Sequence, residues 1–398
     1  MTSERNGKKV ALIIDSLNLG GAEKSVAILS RFLTEKGYDV YIFIDNHSGG
    51  TSYKYKGKIV WMSSIRTGNK KRDYRYRAYY LKKLKDQLCI KVSISFMEDY
   101  NFINILADTG DKKIVSVRTY LSSRKSEWPE TDQLYRSLIP RLYNKADYVT
   151  TMTEAQGKDL EKNYKVFPKK IKIIPNISDL NIISWKGITK VVSPKLCGNS
   201  VVTIGRLVDV KAQWHLIRAM VKVINNIPDA NLYILGTGPN YGALKWLSQR
   251  LGISANIHFE GFVENVSTYL LQAKLYVHTS KAEGFGNAVL DAFSAKVPVI
   301  CCDVPSSPRE LLAPGTEYNG MLQNAEYAEY GVLVPAPDEN KENNSVILSK
   351  SENVLADAML KILSDKQLHD IYSEKSYQRS KDFLPKKIIG DWIKLIEG

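Results

Sequence analysis

Short apolar runs alternate with longer amphipathic stretches along most of the chain. Residues 10–14 are all apolar, which is typical of a parallel strand buried on both faces. Residues 22–35 repeat apolar side chains every three or four positions, which predicts a helix, and residues 38–44 predict the next strand. A strand, a glycine-containing loop, a helix and a second strand are the opening unit of a doubly wound α/β sheet.

The same alternation occurs in two series. The first series predicts further strands at 59–62, 92–96, 114–117, 148–152 and 171–174. The second series predicts strands at 200–204, 231–235, 256–260, 275–278, 297–301 and 331–334, followed by C-terminal helices. We therefore expect two doubly wound, Rossmann-like domains facing a cleft, because ligands of such sheets bind beyond the carboxyl ends of the strands. The expected bounds are 1–175 for the N-terminal domain, 176–198 for a linker, 199–380 for the C-terminal domain and 381–398 for a helix that packs back toward the N-terminal domain.

The most informative stretch runs from Glu283 to Asp291, between the predicted strand 275–278 and a predicted helix at 288–295. Its glycines allow a ligand to approach the backbone, and the N-terminus of the helix suits a phosphate group. Its carboxylates can accept hydrogen bonds from sugar hydroxyls. A packing loop before an acidic helix start explains the same residues, and the stretch alone leaves both interpretations open.

Other predicted strand ends carry residues of related chemistry. Arg206 and Lys211 follow the strand 200–204, where they can bind a phosphate, although two surface cations are the simpler alternative. Residues 236–239 predict a tight turn, and the alternative is a glycine-containing loop that approaches a ligand. Val263 follows another strand, where an apolar side chain suits either a nucleobase or the core.

Composition and charge narrow the class of protein. The chain has 398 residues, of which 44% are hydrophobic and 25% charged, as in globular proteins. Its four cysteines form neither a disulfide framework nor a zinc pattern, and residues 1–9 lack the apolar core of a signal peptide. This use of cysteine is typical of a reducing compartment, so we expect a cytoplasmic protein, and no apolar run is long enough to span a bilayer. The net charge of +14 favours anionic partners.

Residues 66–85 concentrate this positive charge and interleave it with tyrosines. Such a segment is typical of a helix that lies on an anionic membrane surface. A nucleic-acid patch has a similar composition, and a solvated helix face explains the segment without any partner.

No metal site is evident in the sequence. The five histidines are isolated from one another and from any nucleophile, and no Asp-X-Asp triplet is present. We expect a site without a metal ion or other cofactor, in which cations and helix N-termini neutralise phosphate groups.

Taken together, the chain resembles the retaining glycosyltransferases of family 4, which have the two-domain GT-B fold. The matching segments are Gly20-Gly21-Ala22-Glu23, Gly205-Arg206-Leu207 with Lys211, Gly261-Phe262-Val263, the stretch from Glu283 to Asp291, and residues 331–335. They follow the order of the family over nearly the whole chain.

The resemblance implies a role for each matching residue. Arg206 and Lys211 would bind the donor diphosphate, and Glu283 would hold hydroxyls of the transferred sugar, which makes these three the catalytic candidates. Asp291 stands where the family usually has a glutamate that binds the ribose. The remaining implied donor contacts are Gly21, Val263, Gly284, Phe285, Gly286, Asn287, Ala288 and Val289.

One position departs from the family. Many members have a histidine after a central strand of the N-terminal domain, where this chain has Arg118. Arginine does not act as a base at ordinary pH. We therefore expect Arg118 to bind an acceptor phosphate or the leaving diphosphate on the acceptor side of the site.

The resemblance implies a retaining transferase that moves a hexose or N-acetylhexosamine from a nucleotide-diphosphate sugar to a hydroxyl. UDP is favoured over GDP because it is more frequent in the family. The expected acceptor is a glycan or lipid-linked glycan in the biosynthesis of a bacterial surface polysaccharide, on the inner face of the cell membrane. We expect no nucleic-acid partner. The alternatives are a non-enzymatic binder of anionic polymers and a GT-B sugar-nucleotide epimerase.

Overall fold

A computed structural model describes residues 7–18, 20–45, 51, 53–62, 66–125, 129–178, 196–320, 322–338 and 347–398. The chain forms two compact units, of which the first comprises residues 1–177 and 385–398 and the second residues 178–384. Most of the predicted linker, residues 179–195, lies outside the described part of the chain.

Seven described strands form the sheet of the first unit. They are β1 (Lys9–Ile13), β2 (Asp39–Ile44), β3 (Lys58–Trp61), β4 (Val92–Phe96), β5 (Lys112–Ser116), β6 (Tyr148–Thr151) and β7 (Ile171–Ile173). All pair in parallel, in the order β3-β2-β1-β4-β5-β6-β7. The helices between them are α1 (Gly21–Glu35), α2 (Lys70–Leu88), α3 (Glu98–Leu106), α4 (Pro129–Leu142) and α5 (Glu154–Tyr164).

The second unit repeats this arrangement. Its described strands are β8 (Asn199–Ile204), β9 (Ala230–Leu235), β10 (Ile257–Gly261), β11 (Leu275–His278), β12 (Val299–Cys302), β13 (Glu326–Tyr327) and β14 (Val332–Val334). Their order is β10-β9-β8-β11-β12-β14-β13, and among these pairs only β13 with β14 is antiparallel. The helices are α6 (Gln213–Asn226), α7 (Tyr241–Arg250), α8 (Ser267–Leu270), α9 (Asn287–Ser294), α10 (Ser307–Leu312), α11 (Lys350–Ser364) and α12 (Lys366–Ser380).

Burial on both faces explains the continuous apolar runs. In β1, Val10 and Leu12 belong to one hydrophobic cluster of the first unit, whereas Ala11 and Ile13 belong to the other. Successive side chains of a strand point to opposite faces, so a sheet covered on both sides requires apolar residues at every position.

Helix α13 (Pro385–Glu397) returns to the first unit after the whole of the second. Its apolar face is buried in the same cluster as Val10, and the Trp392 ring lies 6.2 Å from the ring of Phe96. Lys8 Nζ donates to the carbonyl oxygen of Ile396 at 3.1 Å. The last helix therefore completes the core of the first unit.

The predicted class, two doubly wound α/β domains, is confirmed, while the cleft stays a prediction. No element was predicted between the strands 297–301 and 331–334, where the structure contains α10 and β13. None of the described helices combines the length and the apolarity that a membrane-spanning helix requires.

Candidate functional site

The candidate site of the second unit lies where its strand order reverses. Strands β8 and β11 are neighbours in the sheet although three helices and two strands separate them in sequence. In open α/β sheets ligands bind beyond the carboxyl ends of the strands at such a switch point. The loops that follow these two strands, 205–212 and 279–286, carry Lys211 and Glu283 respectively.

The loop after β8 is supported from behind by the glycines after β9. The N–H of Leu207 donates to the carbonyl oxygen of Thr237 at 2.9 Å. A Cβ atom on Gly236 would lie 1.9 Å from the carbonyl oxygen of Gly205, and one on Gly238 would lie 2.4 Å from that of Leu207. Besides forming the predicted turn, these glycines permit backbone contact with the loop that carries Arg206.

Arg206 and Lys211 have different surroundings within this loop. The Arg206 side chain is exposed, and its carbonyl oxygen accepts a hydrogen bond from Gln213 Nε2 at 2.9 Å. Lys211 ends a short 3₁₀ turn, and the hydroxyl of Thr279 donates to its carbonyl oxygen at 3.1 Å. This bond ties the loop after β8 to the loop after β11.

Glu283 is the centre of the polar contacts between the two loops. Lys211 Nζ forms an ion pair with Glu283 Oε1, and His278 Nε2 lies 2.7 Å from the same oxygen. The Glu283 side chain is 8% exposed. Burial favours its neutral form, but the charge of Lys211 and the contact with His278 outweigh burial and hold the pKa of Glu283 below its usual value. The site thus holds a buried, ionised carboxylate.

His278 was missed at the sequence level, where all five histidines appeared isolated. It is the last residue of β11, and Glu283 follows it by five positions. Such spacing indicates no contact by itself, because the loop between them has no regular periodicity. A histidine at the carboxyl end of a strand that precedes the Glu-Gly-Phe-Gly motif was the available signal.

Some of the residues after Glu283 support the loop, whereas others remain available to a ligand. The hydroxyl of Ser306 donates to the carbonyl oxygen of Gly284 at 3.1 Å. Phe285 is buried, and its ring packs edge-on against that of Phe383 at 5.6 Å. Gly286 has a φ of 81°, a conformation that glycine adopts without strain. Phe285 is thus placed in the core, and its predicted donor contact is restricted to its backbone.

The backbone N–H groups at the start of α9 differ in whether they have a partner within the fold. The N–H of Val289 donates to the carbonyl oxygen of Gly286 at 2.9 Å, and the Val289 side chain is buried. Asn287 and Ala288 are half-buried in the first turn. The predicted contact between the N–H of Val289 and a ligand stays a prediction, and in this conformation that N–H is bonded to Gly286.

Asp291 and Val263 lie apart from this pair of loops in the chain. Asp291 is buried in the middle of α9. Burial raises the pKa of Tyr276, and the charges of Cys301, Glu283 and Asp291 raise it further. Glu283 and Asp291 are therefore both close enough to act electrostatically on Tyr276. Val263 is half-buried after β10, which is two strands away from β8 in the sheet order.

In the first unit, the structure brings Arg118 to the first turn of α1. Arg118 follows β5 and is 7% exposed. Its Nη2 donates to Ser25 Oγ at 2.8 Å and also to the side-chain oxygen of Asn176. The Ser25 hydroxyl lies 2.8 Å from the carbonyl oxygen of Gly21, which is exposed as the first residue of α1.

The guanidinium of Arg118 is an unusual buried cation. Burial lowers the pKa of Arg118 to about 10, although the charge of Glu23 opposes this shift. Within the described residues, no carboxylate forms an ion pair with Arg118, and its Nε has no hydrogen-bond partner. A buried charge without a paired carboxylate is costly, and an anionic ligand would offset that cost.

Only part of the basic segment 66–85 forms a surface. Arg77 is buried in an ion pair with Asp45, and Lys85 Nζ lies 2.7 Å from Asp111 Oδ2 with both side chains buried. The interpretation of 66–85 as one basic surface is wrong for these two cations. The outer face of α2 is formed by the exposed side chains of Arg72, Arg75, Tyr76, Tyr79, Tyr80, Lys82 and Lys83.

The described ranges contain no recognisable set of metal ligands. Among these residues, no group of three or more His, Cys, Asp or Glu side chains is arranged to hold a metal ion.

Two family models match the chain, one in each unit. Residues 19–181 match the model described as Glycosyltransferase Family 4, and residues 191–329 match that described as Glycosyl transferases group 1. The chain belongs to the family 4 glycosyltransferases of GT-B fold, and the resemblance derived from its motifs is confirmed.

Individual relatives differ in how much they share with the chain. It is 33% identical over 263 residues, 64% of each chain, to an uncharacterized glycosyltransferase of Methanocaldococcus jannaschii. It is 26% identical over 98% of its length, and all of the relative's, to an N-acetylgalactosamine-N,N'-diacetylbacillosaminyl-diphospho-undecaprenol 4-alpha-N-acetylgalactosaminyltransferase of Campylobacter jejuni.

Solved structures show the fold. Anabaena HepE in complex with UDP and glucose superposes with a TM-score of 0.75 at 16% identity, covering 98% of this chain and 99% of that one. Sucrose-phosphate synthase from Thermosynechococcus elongatus gives the same TM-score and identity, over 98% of each chain.

Proposed function

We propose that the protein is a retaining glycosyltransferase that moves a hexose or N-acetylhexosamine from a UDP-sugar to a hydroxyl of a lipid-linked glycan. The observation that carries the proposal is the pair Lys211–Glu283, in which a cation and an ionised acid meet at the ends of β8 and β11. A nucleotide sugar presents matching groups, since its phosphates are anionic and its hydroxyls donate hydrogen bonds.

Each proposed donor contact follows from charge and exposure. Arg206 is exposed and can turn its guanidinium toward a diphosphate, while Lys211 reaches the same phosphates from the end of its turn. Glu283 accepts hydroxyls of the transferred sugar, and Asp291 accepts those of the ribose. Val263 provides an apolar contact for the base.

The proposed reaction retains configuration on one face of the sugar. The acceptor oxygen bonds to the anomeric carbon as the bond from that carbon to the phosphate oxygen breaks. The nucleoside diphosphate leaves with the electron pair and takes the acceptor proton on a phosphate oxygen. Arg206 and Lys211 stabilise the charge that develops on the leaving group.

A lipid-linked acceptor is favoured by Arg118 and by one relative. The Campylobacter jejuni protein, which matches over its whole length, is named for a diphospho-undecaprenol substrate. In this chain Arg118 is a buried cation that no described carboxylate pairs, which fits the phosphate of such an acceptor. We propose that Arg118 binds that phosphate.

The test combines donors with and without acceptor. Purified protein is incubated with UDP-linked and GDP-linked hexoses and N-acetylhexosamines, with a polyprenyl-diphosphate glycan, and release of the nucleotide is measured. Acceptor-dependent release with an α-linked product from an α-linked donor supports the proposal. Sugar isomerisation without acceptor would identify an epimerase, and an enzyme-linked sugar would contradict the single-face mechanism.

The same assay separates the remaining alternatives. Activity that persists in excess EDTA supports a metal-independent site, and loss that added Mg²⁺ or Mn²⁺ restores would refute it. If no donor turns over while nucleic acid binds with a steep salt dependence, the protein is a binder of anionic polymers.

We further propose that the outer face of α2 binds an anionic membrane at the cytoplasmic side. The face combines exposed cations with tyrosines, of which Tyr76 and Tyr80 lie 5.9 Å apart between ring centroids. Each basic residue near an anionic bilayer contributes about 1 kcal/mol. The protein should therefore float with vesicles that contain phosphatidylglycerol and not with pure phosphatidylcholine.

A charge-reversed pair tests whether α2 is responsible. Arg72→Glu with Arg75→Glu should reduce flotation at least tenfold, whereas Lys245→Glu with Arg250→Glu, the same change on exposed positions of α7, should not. Equal failure to bind both kinds of vesicle, or equal loss in both variants, would exclude α2 as a membrane-binding face.

A further inference from the structure

A chain of polar groups leads from the core of the second unit to Glu283. The hydroxyl of Tyr276 lies 3.1 Å from His278 Nδ1, and His278 Nε2 lies 2.7 Å from Glu283 Oε1. Tyr276 and His278 are two positions apart in β11, so their side chains extend from the same face of the strand. Tyr276 is fully buried, and the His278 side chain is 5% exposed.

Both nitrogens of the His278 ring have a hydrogen-bond partner. An ionised carboxylate only accepts hydrogen bonds, so Nε2 of His278 donates to Glu283. Nδ1 forms the hydrogen bond with the Tyr276 hydroxyl, which is able both to donate and to accept. The imidazole is therefore held at both nitrogens, and its orientation toward Glu283 is set from the core.

The two donors to Glu283 converge on a single oxygen. Lys211 and His278 both contact Oε1, and no donor among the described residues contacts Oε2. With Oε1 held, Oε2 is the oxygen that remains to accept a hydrogen bond from a ligand.

Lys211 and His278 differ in how firmly they are fixed next to that oxygen. The Lys211 side chain is 21% exposed and has four rotatable bonds, and its charge is also the one proposed to bind the donor diphosphate. His278 has two rotatable bonds and is buried. When the donor phosphates bind Lys211, His278 is the hydrogen-bond donor that remains in contact with Oε1 of Glu283.

We propose that His278 is a positioning residue, which holds Oε1 of Glu283 so that Oε2 faces a hydroxyl of the transferred sugar. This inference rests on the proposed glycosyl transfer. In this proposal the Tyr276 hydroxyl orients the imidazole of His278.

The test compares three substitutions in the full chain, with kcat and donor KM measured at saturating acceptor. His278→Leu keeps the volume and removes the donor, so kcat should fall 10- to 100-fold while KM changes less than threefold. His278→Gln offers an amide N–H near the position of Nε2 and should restore kcat to within about fivefold of the wild type. Tyr276→Phe removes one oxygen from the core and should lower kcat three- to tenfold.

Each result decides for or against the positioning role. Wild-type kcat in His278→Leu would overturn it, as would equal losses in His278→Leu and His278→Gln at unchanged melting temperature. If His278→Leu fails to fold, His278→Gln with Tyr276→Phe decides, and an unchanged kcat in Tyr276→Phe contradicts the inference. A wild-type protein without turnover contradicts the proposed function itself, whereas an active wild type with an unimpaired leucine variant contradicts only the role of His278.

Discussion

Glu283 and Asp291 show how two similar acids in one motif acquire different surroundings. Glu283 is held by Lys211 and His278 at a loop, whereas Asp291 is buried within α9. We expect Glu283→Gln to lower kcat about 100-fold and to change UDP affinity less than threefold, because it weakens contacts with the sugar. Asp291→Asn should lower UDP affinity about tenfold, since a hydrogen bond to a charged group contributes about 1.5–3 kcal/mol.

Titration calorimetry with UDP and steady-state kinetics measure the two effects separately. Each variant is the control for the other, because both replace one buried carboxylate by its amide. Parallel losses of affinity and kcat in both variants would contradict the division of roles.

His215 makes the stability of the second unit depend on pH. It is fully buried in α6, and neither ring nitrogen has a hydrogen-bond partner among the described residues. Burial lowers the pKa of His215 to about 4, which Asp338 opposes and Arg218 reinforces. Between pH 6.5 and 4 the unfolded chain therefore binds more protons than the folded one. The contribution of neutral His215 to the free energy of unfolding is therefore complete above pH 6.5. It is lost as the pH falls, and the free energy of unfolding decreases by about 2 kcal/mol at pH 5.

His215→Leu should remove most of this acid sensitivity. Urea denaturation at pH 7 and pH 5 measures the difference for the wild type and for the variant. His369→Leu, at a partly exposed position of α12, is the matched control and should behave as the wild type does. Equal losses between pH 7 and 5 in the wild type and His215→Leu would contradict the assignment.

Among elements, the strands were the most predictable part of the fold. Both faces of each central strand are covered, so an apolar run such as residues 10–14 indicates a strand directly. Strand β13 has two residues and depends on pairing with β14, which no local pattern encodes. The same limit applies to the site: Glu283 and Lys211 were predicted from motifs, whereas the contact of His278 depends on how a loop folds.

Charge in α2 was harder to interpret than apolarity. Lys85 is one of many cations in the segment, and its burial against Asp111 depends on the packing of α2 on the sheet. A sequence shows the number of charges in a helix but not which of them have a partner elsewhere in the fold.

Helix α5 offers a test of backbone strain at a helix end. Lys165 follows its last residue with a φ of 56°, a left-handed conformation that costs a residue with a side chain about 1–2 kcal/mol. Lys165→Gly should therefore stabilise the first unit by about 1 kcal/mol. Lys162→Gly, the same substitution at an exposed position within α5, should destabilise it by about 1 kcal/mol.

Thermal denaturation of both variants measures these opposite shifts. Both lysines are exposed, but Lys165 Nζ also donates to the carbonyl oxygen of Lys162 at 2.9 Å. The stabilisation measured for Lys165→Gly is therefore the relieved backbone strain less this one exposed hydrogen bond. Shifts of the same sign would contradict the strain argument.

At the scale of the whole molecule, the first unit depends on α13, which follows the second unit in the sequence. Trp392 in α13 is 4% exposed and packs against Phe96 of β4. Trp392→Ala should destabilise that unit by about 3–5 kcal/mol, as expected for the loss of a buried aromatic side chain. Trp246→Ala, on α7 where the side chain is 50% exposed, should change stability by less than about 0.5 kcal/mol.

Limited proteolysis with mapping of the cleavage sites locates the effect. In Trp392→Ala, new cleavage should occur within residues 66–125 and 129–177, which belong to the first unit with α13. Cleavage that increases only within residues 196–320 would show that α13 does not support the first unit.

The position of α13 also has a consequence for biosynthesis. Residues 7–177 leave the ribosome before the second unit, but α13, which packs in the same cluster as Val10, Leu12 and Phe96, follows only after about 200 residues of the second unit. At 5–20 residues per second, translation of that interval takes about 10–40 s. During this time that face of the first sheet is covered by α1 but lacks α13, and the apolar side chains that α13 would bury are available to chaperones. Of the two units, the one whose synthesis begins earlier is therefore the later to complete its core.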